Sequence, residues 1–113
     1  MDDGIPQAGR LDRIRLVLGR FYGFRVEGDS MLPILRPGDK VLVDPKATLA
    51  PGDIVLARHP FRSSVRVLKR LDSVGSDGRL FLAGDNPKES EDSRSFGSVS
   101  QGDLLGKVVA RLR

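Results

Sequence analysis

Pro37-Gly38-Asp39-Lys40-Val41-Leu42-Val43 is answered fourteen residues later by Pro51-Gly52-Asp53-Ile54-Val55-Leu56-Ala57. In each copy Pro presets φ at the first turn position, Gly supplies a positive-φ slot, and an apolar run leaves the turn. Such runs are strands, and two of them this close predict a short meander rather than a solenoid repeat. Further strands read outward from this pair. Phe21–Glu27 has aromatic and β-branched content and ends at Gly28-Asp29-Ser30. Val65–Leu71 and Arg79–Ala83 flank the hairpin connection Gly75-Ser76-Asp77-Gly78, and Leu104–Leu112 is a last strand. Residues 85–103 are polar and Ser-rich. Ahead of the strands, Leu11, Ile14, Val17 and Leu18 fit one face of a short helix with Gly19 as its stop. That helix caps the core or, alternatively, lays a basic face on a membrane surface. Residues 1–9 lack periodicity and read as a frayed tail. The pattern predicts a mainly β fold: a compact antiparallel β-barrel-like or coiled sheet, closed or nearly so, with a short N-terminal helix. Residues 1–20 form the tail and helix, and residues 21–113 a single domain.

Composition narrows the chemistry. The chain has 113 residues, 39% hydrophobic and 30% charged, enough for one modest core. With no Cys and one His, zinc fingers, disulfide scaffolds, Fe–S sites and thiol nucleophiles are excluded. The longest stretch free of charge is the eight residues from Ser95 to Gly102. A membrane span needs about 20 apolar residues and a secretory signal about 7–15 near the start, so neither is expected. The net charge of +4 is unevenly spread. Arg58, Arg62, Arg66, Lys69 and Arg70 occupy a segment without acids, while Asp85, Glu89, Glu91 and Asp92 cluster around Lys88. Opposite blocks in one small domain are expected to face each other, which argues against a nucleic-acid partner.

Strand alternation singles out one residue. In Val65–Leu71, one face carries Val65, Val67, Lys69 and Leu71, and the other Arg66, Leu68 and Arg70. Lys69 therefore sits among apolar neighbours. Either it reaches past the sheet edge and stays charged, or burial drives it towards the neutral amine. A lysine near 10.4 is almost wholly protonated at neutral pH, and bringing one to about 7–8 takes roughly 4 kcal/mol of unfavourable burial. A neutral amine is a general base.

In Gly28-Asp29-Ser30-Met31-Leu32-Pro33, Pro33 favours the first turn of a short helix or 3₁₀ segment. A serine there is an N-cap, or a nucleophile flanked by backbone N–H groups that form an oxyanion site. Gly28 lets a substrate backbone approach, and Met31 belongs to the same approach region. A serine nucleophile needs an adjacent base, and Ser–Lys pairs provide one without imidazole. The competing base is His59, held extended by Pro60; it reads as a surface or substrate-groove residue. A neutral hydroxyl such as Ser90 satisfies an uncharged lysine better than a carboxylate does. Asp85 and Asp92 need cationic partners, and Arg70 and Arg94 are available.

These residues resemble the type I signal peptidase family of serine–lysine proteases, from about Val26 to Leu112. Gly28-Asp29-Ser30-Met31-Leu32-Pro33 is similar to the nucleophile box, Pro51-Gly52-Asp53-Ile54-Val55 to the second box, and Val67-Leu68-Lys69-Arg70-Leu71 to the lysine box. Gly84-Asp85-Asn86 through Ser90-Glu91-Asp92-Ser93-Arg94-Ser95-Phe96-Gly97 is similar to the last. The resemblance implies Ser30 as nucleophile, Lys69 as base, Ser90 orienting the lysine, and Asp92 with Arg94 bracing the site. It implies no cofactor or metal. The chain departs from the family in lacking a membrane helix, and in having Gly28 where many bacterial enzymes carry an oxyanion-assisting serine. Arg58-His59-Pro60 and Gly84-Asp85-Asn86-Pro87 look like the short proteases that mature nickel-type superoxide dismutase by removing its N-terminal leader.

The expectation is a cytoplasmic serine endopeptidase acting on a leader-bearing precursor, nickel superoxide dismutase, with small residues such as Ala before the cut. Residues 10–20 leave peripheral membrane contact open. Two rivals stand beside it. One is a self-cleaving domain like those of SOS-type repressors, with Ala8-Gly9 as the bond cut. The other is a non-catalytic β module holding an acidic partner or nucleic acid.

Overall fold

Residues 4–17, 19–86, 88 and 96–112 are described by the structure, a computed structural model. One helix, α1 (Arg10–Val17), precedes six strands: β1 (Tyr22–Arg25), β2 (Lys40–Asp44), β3 (Ile54–His59), β4 (Arg62–Val74), β5 (Leu80–Ala83) and β6 (Leu104–Leu112). A 3₁₀ turn, Gln101–Asp103, leads into β6. The strands form one antiparallel sheet in the order β1-β2-β6-β3-β4-β5. The sheet is mainly β as expected but does not close, since β1 and β5 are its edges. β2 and β3 do not form a meander either, because β6 lies between them.

The repeated Pro-Gly-Asp turns explain that insertion. Gly38 and Gly52 have φ of 92° and 97°, and the N–H groups of Asp39 and Asp53 close each turn on the carbonyls of Arg36 and Ala50. Each Asp carboxylate then accepts the N–H three residues back, from Arg36 at 2.9 Å and Ala50 at 2.8 Å. The same oxygens face cations on β6, Arg111 at 3.1 Å and Lys107 at 3.4 Å. Each turn also pairs with a second segment. Gly38 N–H donates to Val26 O and Val26 N–H to Asp39 O; Gly52 N–H donates to Leu71 O and Leu71 N–H to Asp53 O. The two copies thus flank β6 and anchor the segments that lead to Ser30 and away from Lys69. β6 can lie this close only because it has Gly106. A Cβ there would sit 2.5 Å from Val43 Cγ1 and 2.8 Å from Asp44 O.

Alternation along the strands builds a core on each face of the sheet. Ile54 and Leu56 of β3 join Val26, Met31, Leu35, Val41, Val43, Leu68 and Val108 on one face. Val55 and Ala57 join Leu71, Leu80, Leu82, Phe96 and Val99 on the other.

The N-terminal stretch is not frayed over residues 5–8. Ile5 packs on the first cluster, and Pro6 and Ala8 exchange backbone hydrogen bonds with Arg111 of β6 in a parallel bridge. β3 pairs with β6 only as far as Lys107, which leaves that edge to be covered. In α1, Asp12 accepts the Gly9 N–H at 3.0 Å, and Gly19 (φ 77°) ends the helix with Arg20 N–H on Arg15 O. Of the face expected to cap the core, Leu18 and the Val17 side chain lie outside the described residues. Leu11 and Ile14 are exposed, and Leu16 makes the contact with the cluster of Phe21, Leu42 and Ala110. Among the described residues no helix is long and apolar enough to cross a membrane.

Candidate functional site

Lys69 lies on β4 opposite Val55 and is 4% exposed, so it does not reach past the edge into solvent. Its strand neighbours on the same face are Val67 and Leu71. Burial of this depth disfavours a charged ammonium. β5 pairs with β4 only from Arg70 onward, so Arg62–Lys69 has β3 on one side and no strand on the other among the described residues.

This part of β4 forms one wall of a cleft of about 190 Å³. Ser30 and Lys69 both line it, with Glu27, His59, Arg62 and Val65. Ser30 is partly exposed and stands at the start of a turn after β1. The expected one-turn helix is a turn with Leu32 N–H on Asp29 O at 3.2 Å and one helical bond, Leu35 N–H on Met31 O at 3.0 Å. Met31 is 1% exposed, packs in the first core cluster and is not among the residues that line the cleft. Gly28 has φ 72°, and a Cβ there would meet no atom within 4 Å. Its backbone favours glycine while the space above it stays clear.

His59 is not at the surface. The ring is 5% exposed, packs edge-on to Phe96 at 4.9 Å, and accepts the Phe61 N–H on Nδ1 at 3.1 Å. It lines the cleft as a packed wall. Phe96 lies 37 positions away in sequence, which hides this packing from local reading.

On the other face of β4, Arg70 grips Asp85 through Nε to Oδ1 at 3.0 Å and Nη2 to Oδ2 at 2.7 Å, and donates from Nη1 to Gly52 O at 2.8 Å. The hydrogen bond to Asp85 holds the guanidinium above its ordinary value, with burial opposing. Ser90, Asp92 and Arg94 lie outside the described residues.

One residue of the site was not singled out by residue type or spacing. Asn86 donates its backbone N–H to Ser30 O at 2.8 Å and its Nδ2 to Asp29 O at 3.0 Å, while Oδ1 accepts the Lys88 N–H at 3.2 Å. The two side-chain partners, Asp29 O and the Lys88 N–H, together define the amide's orientation. Asn86 is thereby the tie between the loop after β5 and the Ser30 turn. Its sequence signal is its place in the Gly84-Asp85-Asn86 stretch of the last box, where no role was read for it.

Near the cleft, Arg66 stacks on Phe24 at 4.9 Å. Tyr22 donates its hydroxyl to Leu105 O at 2.8 Å. Burial pushes the Tyr22 phenol above its usual value, against the pull of Arg66 and Arg58.

Comparison with known proteins agrees with this geometry. The model of the Peptidase S24-like family matches residues 12–109. Mitochondrial inner membrane protease subunit 1 of Schizosaccharomyces pombe is 32% identical over 117 residues, covering 80% of this chain and 74% of the relative. The Saccharomyces cerevisiae subunit 1 is 33% identical over 75 residues, 66% of this chain and 35% of the relative. Mitochondrial inner membrane protease subunit 2 of Mus musculus is 32% identical over 119 residues, 83% of this chain and 65% of the relative. The chain therefore spans about a third to three quarters of the length of these relatives. It belongs to the Peptidase S24-like family of serine peptidases and is distantly related to the signal-peptidase-like inner membrane protease subunits.

Proposed function

We propose that this chain is an endopeptidase with a Ser30–Lys69 dyad that removes an N-terminal leader from a precursor protein, nickel-type superoxide dismutase. The observation that carries the dyad is that Ser30 and Lys69 line one cleft, with Lys69 4% exposed. Lys69 Nζ takes the hydroxyl proton as Ser30 Oγ attacks the peptide carbonyl carbon. The tetrahedral intermediate collapses as the protonated lysine returns that proton to the leaving amine. The resulting ester is hydrolysed by a water that gives its proton to the same nitrogen, which passes it on to Ser30 Oγ as the acyl–oxygen bond breaks. An extended substrate fits beside the Arg62–Leu68 edge of β4, along which no strand lies among the described residues, and adds to it through main-chain hydrogen bonds. The superoxide dismutase precursor is supported by the resemblance in Arg58-His59-Pro60 and Gly84-Asp85-Asn86-Pro87.

Purified protein mixed with the precursor should release the leader, read by intact mass, and Ser30→Ala or Lys69→Ala should stop it. Normal cleavage by Lys69→Ala together with a dead His59→Ala would overturn the dyad. Cleavage of other leader peptides but not this precursor would overturn the substrate alone.

A further inference from the structure

The cations of the sheet fall into two groups. Arg70 is held by Asp85, Lys107 faces Asp53 and Arg111 faces Asp39. At the other end of β3 and β4, Arg58, Arg62 and Arg66 are exposed and make no side-chain hydrogen bond or ion pair among the described residues. Arg66 stands directly across the ladder from Arg58, and like charges in that relation repel. Arg66 is nevertheless held in place, with its guanidinium over the Phe24 ring at 4.9 Å. Stacking occupies the face of the planar group and leaves its N–H edges open. Arg66 and Arg62 both line the cleft that holds Ser30 and Lys69, where Glu27 is the one carboxylate among the described residues.

We propose that Arg66 and Arg62 form a carboxylate-binding subsite of this cleft, with Arg58 reinforcing the charge beside Arg66, so that the enzyme selects substrates carrying Asp or Glu about three residues from the cleaved bond. This rests on the reading of Ser30 and Lys69 as the dyad. Arg66 precedes Lys69 by three positions. At about 3.3 Å per residue it lies roughly 10 Å along the strand from the base. A substrate extended beside β4 has the same rise, so its third residue from the cut comes level with Arg66. A carboxylate there accepts charge-assisted hydrogen bonds from the open guanidinium edge and relieves the repulsion between Arg66 and Arg58.

The test uses the full chain and peptides with Ala before the cut and Asp, Asn or Lys at the third or fourth residue on either side of it. On one side Asp should exceed Asn about 5- to 20-fold in kcat/KM, and Lys should fall below Asn. The margin should shrink as salt screens it. Arg66→Gln should bring the Asp peptide down to the level of the Asn peptide. Arg66→Glu should reverse the order in favour of Lys, a change that loss of fold cannot mimic. Equal rates for the three residues at every position overturn the subsite. So does an Asp preference that outlives the joint substitution Arg62→Gln and Arg66→Gln. Binding judges the subsite apart from catalysis. Ser30→Ala should bind a fluorescent Asp peptide about 5- to 20-fold more tightly than the Asn peptide, read by anisotropy, and equal affinities overturn the subsite. A short oligothymidylate that binds the same arginines more tightly than the Asp peptide overturns the choice of carboxylate over phosphate. Cleavage by Ser30→Ala overturns the dyad alone, and the binding comparison still decides the subsite.

Discussion

Arg70 and Asp85 meet fork to fork, with parallel hydrogen bonds of 3.0 and 2.7 Å. Arg70 follows Lys69 directly, and Asp85 precedes Asn86, so one ion pair joins the strand of the lysine to the loop that holds the Ser30 turn. Both side chains are partly sheltered, at 31% and 19% exposure. Charge-assisted bonds of this kind are worth about 1.5–3 kcal/mol. Arg70→Ala should lower the unfolding free energy by about 1–3 kcal/mol, since it leaves Asp85 unmatched and frees Gly52 O. A urea midpoint that does not move would show that the fork contributes nothing.

Tyr22 is the sole tyrosine and there is no tryptophan, so tyrosinate absorbance reports one phenol. Burial raises its ionisation above the ordinary value of 10.0, and Arg66 and Arg58 lower it. The unfolded chain loses this proton near 10, the folded one only at higher pH. Stability is therefore intact below about pH 10 and declines as pH rises through the folded value. Tyr22→Phe should flatten that decline, and Arg66→Ala should move the absorbance midpoint higher still. A midpoint at or below that of a free tyrosine would contradict the burial of the ring.

Gly106→Ala places a methyl group 2.8 Å from the Asp44 carbonyl and 2.5 Å from Val43. Backbone cannot yield as a side-chain tip can. The expected loss is about 1–3 kcal/mol of unfolding free energy, as for other overpacked sites. Wild-type stability in this variant would mean that β2 and β6 separate freely at the bulge.

Ala8 donates its N–H to Arg111 O at 2.9 Å and does not line the Ser30 cleft. Prolonged incubation should therefore leave the intact mass unchanged. Loss of the residues up to Ala8 from the purified chain would instead support the self-cleaving reading.

Leader release should rise with pH along a limb well below the 10.4 of an exposed lysine, because burial disfavours an ammonium. Initial rates across pH measure it, and His59→Ala should keep the limb where it is. Loss of the limb in His59→Ala would transfer the base to the imidazole.

Much of the site was legible in short-range pattern. Strand alternation places Lys69 with Val67 and Leu71, and the three-residue groups Pro37-Gly38-Asp39 and Pro51-Gly52-Asp53 announce two turns before two strands. The stop at Gly19 follows from the same local chemistry. The groove alternative for His59 agrees with its place in the cleft lining, but its burial escaped such reading because Pro60 speaks only of its backbone, whereas the ring packs on Phe96. Leu11 and Ile14 misled for a related reason: helical spacing names a face without naming what, if anything, covers it.

Period and turn chemistry act over a few residues, and so strand identity, turn positions and the inward side of β4 could be read directly from the chain. Which strands become neighbours depends on contacts between distant segments, whose free energy no local spacing encodes. β6 lies between β2 and β3 because Arg111 and Lys107 answer Asp39 and Asp53 and Gly106 admits the close approach. The hold of Asn86 on the Ser30 turn, across 57 positions, exists only once the sheet has brought those segments together.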